Sequence, residues 1–174
     1  MGRDTILETP RFVFREMSLD DLDFVASMLA DPEVMRFYPH CYSREQAKGW
    51  IDGQMDRYTR HGHGLWIVVE KASGRPVGQV GLLIQHVDGV DETEVGYMIH
   101  QPFWRQGFAT EAAAACRDHA FQELNRPRVI SLIRPVNIPS QRVALRLGMK
   151  PEKMTRHWDL EHLVFSEGKP DCDS

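Results

Sequence analysis

The chain lacks most of what would send a protein to a membrane, a secretory route or a nucleic acid. Its 174 residues hold only three cysteines, Cys41, Cys116 and Cys172. The number is odd and none has a C-x-x-C partner, which argues against a disulfide framework and for a reducing cytoplasm. Cys116 stands among alanines on a predicted helix and reads as a small core residue. No apolar run approaches the roughly 20 residues that a membrane helix needs. The opening MGRDTILETP has no signal-peptide apolar region. Met1-Gly2 resembles a myristoylation start, but Ile6 stands where Ser or Thr is required. Basic excess is missing too: 21 Lys and Arg face 25 Asp and Glu, a formal net charge of −4. That excludes wholesale nucleic-acid binding, which calls for a basic domain. Repeats, low-complexity tracts and interdomain linkers are absent from the sequence, as are the nucleotide motifs G-x-x-x-x-G-K-[ST] and G-x-G-x-x-G.

What remains is a globular composition, 42% hydrophobic and 26% charged. Arg11 to Arg15 reads as a short aromatic strand. Ser18 ahead of Asp20-Asp21 opens a helix with Leu22, Val25, Ala26 and Leu29 on one face, closed at Asp31-Pro32. Ser43-Arg44-Glu45-Gln46 fits a capping box. The helix it starts carries Ala47, Trp50, Ile51, Met55 and Tyr58 on one side and ends near Gly62. Leu65 to Lys71 and Val77 to Gln85 read as a hairpin around Ala72 to Pro76. A polar turn, Asp88 to Asp91, leads to a strand from Thr93. Arg128 to Ile133 is a further strand. Gln141 to Leu147 is a short helix stopped by Gly148. Met149 to Ser166 supplies two more strands, and Gly168 to Ser174 reads as a frayed end. This order predicts a single α+β domain over 1–174, with its core at about 9–165. The helix between the Glu94 and Arg128 strands makes them a parallel pair through a β-α-β crossover.

The most informative stretch runs from Glu94 to Leu124. A strand enters a helix through Trp104-Arg105-Gln106-Gly107-Phe108-Ala109. The first N–H groups of a helix have no intrahelical acceptor, and the helix dipole places partial positive charge beside them. A glycine turn with a cation ahead of such a helix suits a phosphate. The plainer reading of Gly107 and Ala109 is a tight strand–helix turn.

Two motifs then resemble those of the GNAT acetyltransferases, in particular the RimJ/RimL branch that acetylates protein N-termini. One is Gly107-Phe108-Ala109-Thr110-Glu111-Ala112. The other is Asn137-Ile138-Pro139-Ser140 followed by Val143-Ala144-Leu145-Arg146-Leu147-Gly148-Met149. The resemblance covers Thr9 to Phe165 and implies an acetyl-CoA-dependent N-acetyltransferase. It implies a GNAT fold with a mixed, mostly antiparallel sheet of about 6–7 strands, about four helices and a splayed parallel pair at the coenzyme site. Met98, Ile99 and His100 would offer backbone to the pantetheine arm. Gln106, Gly107, Phe108, Ala109 and Thr110 would hold the pyrophosphate, with Arg105 as cation because Trp104 stands at the family's usual Gln/Arg position. Asn137 would reach the pantetheine or thioester, and Ser140 would sit near the sulfur. Many GNAT members carry a tyrosine acid in the last helix; the aligned residue here is Ala144, so Ser140 becomes the candidate acid.

Acyl transfer to an amine needs a base, oxyanion donors and close placement. Glu94 is the candidate base; its ordinary reading is a solvated carboxylate opening a strand. Ser140 has an ordinary reading as a helix N-cap, and Asn137 as a turn residue. Phe37, Tyr38, Tyr42 and Trp158 are aromatic candidates for the acceptor site, and Asp31 or Glu33 would meet a cationic amine. The pairs His61/His63 and His157/His162 lack the spacing of a known metal site, so no metal is expected. A cytoplasmic enzyme, monomer or homodimer, acting on a peptide N-terminus is the leading reading. A small-amine acetyltransferase, a non-catalytic CoA-binding module and an unrelated α/β phosphate binder are the alternatives.

Overall fold

The computed structural model describes residues 4–171. Cys172, the Met1-Gly2 pair and the last residues of the expected frayed end lie outside them. The chain runs through β1 (Thr5–Glu8), β2 (Phe12–Arg15), α1 (Leu22–Ala30), α2 (Arg44–His61), β3 (Leu65–Glu70), β4 (Pro76–Val87), β5 (Val90–Ile99), α3 (Phe108–Gln122), β6 (Arg128–Ile133), α4 (Ile138–Leu147), β7 (Lys150–His157) and β8 (Leu160–Gly168). One eight-stranded sheet has the order β1-β2-β3-β4-β5-β6-β8-β7. Its pairs are antiparallel except β5 and β6, the β-α-β crossover. The strand beyond those expected is β1, a four-residue edge strand on β2 whose short, half-exposed pattern carries little signal. β8 continues as ladder to Gly168, opposite Arg128.

α2 starts where local chemistry predicts. Ser43 Oγ accepts from the Gln46 N–H at 3.1 Å, and Gln46 Oε1 accepts from the Ser43 N–H at 2.8 Å. This reciprocal cap satisfies two orphan donors of α2, and left-handed Gly62 ends it. Ser18 caps a 3₁₀ turn, Leu19–Asp21, rather than the helix itself, and α1 follows directly. In α4 the N-cap is Asn137, not Ser140: Asn137 Oδ1 accepts from the Ser140 N–H at 3.2 Å.

Side chains alternate across the strands, so register assigns the faces. Gln79, Gly81 and Leu83 of β4 stand opposite Met98, Gly96 and Glu94 of β5, on the face covered by α2. Trp50 of α2 donates to Gln79 Oε1 at 2.9 Å, and buried Gln54 accepts from the Leu65 N–H at 2.8 Å. Tyr58 of α2 accepts from the Met17 N–H and donates to the Leu65 carbonyl. These bonds pin α2 over β3 and β4. The opposite face carries Phe12, Phe14, Trp66 and Val80 against α3, with the Phe12 and Phe108 rings edge-on at 4.8 Å. α3 is alanine-rich where it meets the sheet, with Ala112, Ala113, Cys116 and Ala120 buried, and this lets the helix approach closely. Burial pushes the Cys116 thiol well above its usual range, as befits a core thiol. No helix among the described residues is long and apolar enough to cross a membrane.

Candidate active site

The site has a backbone end and a side-chain end, joined by a gap in the sheet. The backbone end is the turn into α3. Arg105 (φ 63°) and Gly107 (φ 73°) both adopt left-handed backbone. Gly107 is the N-cap, and with no side chain it leaves the Phe108, Ala109 and Thr110 N–H groups uncapped; the first intrahelical bond is from the Glu111 N–H to the Gly107 carbonyl at 3.1 Å. A Cβ on Gly107 would meet nothing closer than Arg11 Nη2 at 3.6 Å, so the glycine is required by its φ and not by crowding. Gln106 and Arg105 are exposed beside it.

A residue that no sequence motif singles out holds this turn. Arg11 donates to the Gln106 carbonyl at 2.8 Å and to Glu111 Oε1 at 3.2 Å, and its guanidinium lies 4.8 Å over the Phe108 ring. Thr9 adds a bond to Glu111 Oε2 at 3.0 Å. No local pattern announces Arg11, because its partners lie about a hundred residues away in sequence. Trp104 is structural as well. Its indole donates to the Ile99 carbonyl at 2.7 Å, tying the turn back to β5.

The gap follows from the β5/β6 pairing. The two parallel strands share a single register position, Glu94 opposite Ile130. Past it, side chains replace the backbone ladder. Ser131 Oγ donates to the Val95 carbonyl at 2.8 Å, and the Leu132 N–H donates to Glu94 Oε2 at 2.9 Å. Beyond these the strands part. The His100 N–H bonds to Val77 of β4 at 2.8 Å, and the β4/β5 register runs unbroken. By alternation, the Met98 backbone groups and the His100 N–H turn toward β4, while the Tyr97 groups and the Ile99 N–H face the gap; the Ile99 carbonyl is taken by the Trp104 indole and the His100 carbonyl by the Phe103 N–H. Of the three residues expected to offer backbone to a coenzyme, Ile99 has its N–H on the gap side, and Tyr97 stands there beside it. Met98 presents its side chain to the cavity and accepts from Gln79 Nε2 at 3.4 Å, while the His100 ring packs edge-on against Phe24.

The side-chain end is a cavity of about 180 Å³ that crosses the gap. Its lining includes Phe37, Tyr38, Trp50, Glu94, Tyr97, Asn137, Ser140 and Trp158. Glu94 is the fifth residue of β5 rather than its first, and only 8% exposed, which overturns its reading as a solvated carboxylate. Burial raises its pKa; the hydrogen bonds from Gln85 Nε2 (3.0 Å) and the Leu132 N–H oppose the rise. Tyr97 donates to the Ser140 backbone carbonyl at 2.7 Å. Burial, reinforced by the Glu94 charge, pushes the Tyr97 and Tyr38 hydroxyls far above the usual phenol range. Both phenols therefore remain protonated donors at neutral pH.

Trp158 reaches the cavity through a two-residue hairpin loop. Trp158 (φ 52°) and Asp159 (φ 58°) are both left-handed, and His157 pairs with Leu160 across them. That geometry normally selects Asn-Gly or Asp-Gly, and the β4–β5 loop uses the usual Asp88-Gly89 pair. The Arg156 side chain bonds the Asp159 carbonyl at 2.7 Å, and Trp158 lies 6.1 Å from Tyr38 and 4.6 Å from His157, ring to ring. Phe37, Tyr38 and Trp158 thus meet at one cavity. Tyr42 instead stacks on His40 and packs on Trp50, and Asp31 accepts from the Glu33 N–H. Neither acid lines the cavity, so both lie apart from the expected acceptor site. His61 and His63 stack at 6.0 Å, and no metal-binding group of His, Cys, Asp or Glu occurs among the described residues.

A sheet split between two parallel strands, bridged by a helix with an uncapped glycine start, is the arrangement of the GNAT fold. The chain belongs to the GNAT acetyltransferases: the acetyltransferase (GNAT) domain model matches residues 11–150. It is 33% identical over 166 residues to the uncharacterized protein YkkB of Bacillus subtilis, covering 95% of this chain and 96% of that one. An acetyltransferase structure from Agrobacterium tumefaciens is 27% identical, with a TM-score of 0.82 over 96% of this chain and 95% of that chain. RimL, a ribosomal L7/L12 α-N-protein acetyltransferase solved with coenzyme A, shares the fold at 13% identity, with a TM-score of 0.75 over 95% of this chain and 98% of that one. The family uses acetyl-CoA and an amine acceptor, and the uncapped turn and the open gap suit a phosphate-bearing, amide-rich coenzyme.

Proposed function

We propose that this enzyme transfers an acetyl group from acetyl-CoA directly to a primary amine held with it in one complex, in the cytoplasm. The observation that carries the reading is Glu94: a buried carboxylate with a raised pKa, at the closed end of the β5/β6 gap. Acetyl-CoA supplies an activated acyl group. Arg105, Gln106, Gly107, Phe108, Ala109 and Thr110 hold its pyrophosphate, and Tyr97, Ile99 and Asn137 flank its pantetheine arm. Glu94 takes the amine's proton, directly or through a water, since most amines are protonated near neutral pH. Gap-facing N–H groups of β5 stabilise the developing oxyanion. Ser140, whose backbone carbonyl the Tyr97 phenol holds, gives its hydroxyl proton to the leaving thiolate and recovers one from water. Phe37, Tyr38 and Trp158 shape the acceptor side.

The motifs at Gly107 and Asn137 favour a RimJ/RimL-type enzyme with a peptide N-terminal amine as acceptor. The small cavity volume favours a second reading, a compact free amine. Thiol release from acetyl-CoA, screened against peptide N-termini and small amines together, tests both. Acetylation of at least one amine is expected. Tight coenzyme binding with no turnover across the panel makes the protein a non-catalytic CoA-binding module instead.

A further inference from the structure

The acceptor cavity holds two guanidinium groups and one carboxylate. Arg57 of α2 and Arg134 after β6 line it, and the lone acid, Glu94, already bonds Gln85 and the Leu132 N–H. Neither arginine has a carboxylate partner among the described residues. Three other half-buried arginines do: Arg15 holds Asp21, Arg117 holds Asp118 and Glu167, and Arg128 holds Glu92 and Glu152; Arg126, which does not line the cavity, has an unpaired Nε as Arg134 does, so it is the place of Arg134 in the cavity wall that sets it apart. Arg134 is the sharper case. Its Nε is buried with no acceptor, and its Nη1 reaches only the Phe37 carbonyl, at a long 3.4 Å. A buried donor left unpaired is destabilising, and more so when charged. The Nε itself is closed to solvent, so a carboxylate would meet the Nη edge of the guanidinium, whose planar fork matches it.

Position completes the case. Arg134 is two residues beyond Leu132, whose N–H holds Glu94, and so about 7 Å further along the strand direction. An amine at Glu94 and an anion at Arg134 therefore belong to one compact group. We infer that the acceptor carries a carboxylate within a few bonds of its amine, received by Arg134 with Arg57 adding charge. Two sources share that chemistry: a free amino acid, and a peptide whose first residue is acidic. Polyamines fit poorly, because their further cations would face two arginines.

This inference rests on the reading of the cavity as the acceptor site, so its test avoids turnover. Calorimetry in the presence of coenzyme A compares product-like probes in matched pairs. One arm is N-acetyl-leucine against N-acetyl-leucinamide. The other is an N-acetyl-aspartyl peptide amide against its asparaginyl counterpart. At least tenfold tighter binding of the carboxylate member is expected in one arm, and that arm names the source. Arg134→Gln should abolish the preference and Arg134→Lys should retain part of it; Arg57→Gln, on a different element, should weaken it independently. Equal binding within both pairs, or no binding in either, overturns the inference. Acetyl-CoA affinity and thiol release, measured on the same samples, report separately on the acetyl-transfer reading. A carboxylate preference without any turnover would count against that reading alone.

Discussion

The two ends of this site are built by different means. The end proposed to hold phosphate is mostly backbone: two left-handed residues, a helix start and a run of uncapped N–H groups within Arg105 to Thr110. The chemical end is side chains brought in from β4, β5, β6, α2, α4 and the β7–β8 loop. A site made of local backbone can be read from a short motif, because glycine at positive φ leaves a compositional mark. A site made by convergence leaves none. Glu94 shows the difference. In the sequence it follows Glu92 and Thr93 and looks like an exposed acid, yet the β4/β5 register and the β6 N–H bury it.

The comparison breaks first at Gly107. Gly107→Glu should weaken acetyl-CoA binding at least 100-fold by calorimetry in a folded protein, because a carboxylate at the helix start repels phosphate. Gly107→Ala is the control; it carries only the left-handed penalty of about 1–2 kcal/mol. Unchanged coenzyme affinity in Gly107→Glu would dissolve the phosphate end altogether.

Next in size, Glu94→Gln should lower kcat by about 100-fold, at the lower edge of a general base's contribution, with coenzyme affinity unchanged. The wild-type rate should fall as pH drops through the raised Glu94 pKa, and that limb should vanish in the variant. Its fold should survive, because Gln can still accept from the Leu132 N–H and Gln85 can flip to pair with it. A wild-type pH profile in the variant removes Glu94 as base.

Arg11→Ala asks whether the phosphate end is as local as it looks. The loss of its bonds to Gln106 and Glu111 should raise the acetyl-CoA Kd about tenfold, equivalent to roughly 1.4 kcal/mol. No change in Kd would make the turn self-sufficient. Asn137→Ala removes the α4 cap and should cost about 1 kcal/mol of stability, read from denaturant midpoints. An unchanged midpoint would free Asn137 from its capping role and strengthen its coenzyme role.

The smallest effect is on stability against pH. Burial lowers the pKa of His63, which is 1% exposed and bonded to the Leu82 carbonyl, and of His162 in the cavity wall. Both bind protons more readily unfolded than folded. Stability should therefore fall as pH drops below the ordinary histidine value of about 6.5 toward their lowered values. Glu94 works the other way, since its raised pKa means stability lost as pH climbs from the ordinary carboxylate range through its own. Glu94→Gln should remove that second trend, and thermal midpoints between about pH 4 and 7 would show both. A flat profile in Glu94→Gln, where only the histidine trend remains, would contradict the burial of the histidines, and identical profiles in variant and wild type would contradict that of Glu94.

Much of the fold was written in local chemistry. The capping box at Ser43, the stop at Gly62 and the hairpin turns all depend on residues within a few positions of one another, and the β-α-β crossover follows from the order of its elements. So does the anion-ready turn at Gly107, where motif and geometry meet. Three features needed the folded chain. Edge strand β1 is too short to declare itself. The direction of each β5 backbone group depends on which neighbour takes the ladder, so the Met98 groups and the His100 N–H turn toward β4 while the Tyr97 groups and the Ile99 N–H face the gap. The cavity's charge was hidden as well, because Arg57, Glu94 and Arg134 are ordinary surface-type residues until α2, β5 and β6 fold over one another. A helix cap or a glycine turn is decided by its own φ and ψ angles. Burial, pairing and pKa are decided by whatever packs against a residue, and here those neighbours lie tens of residues away.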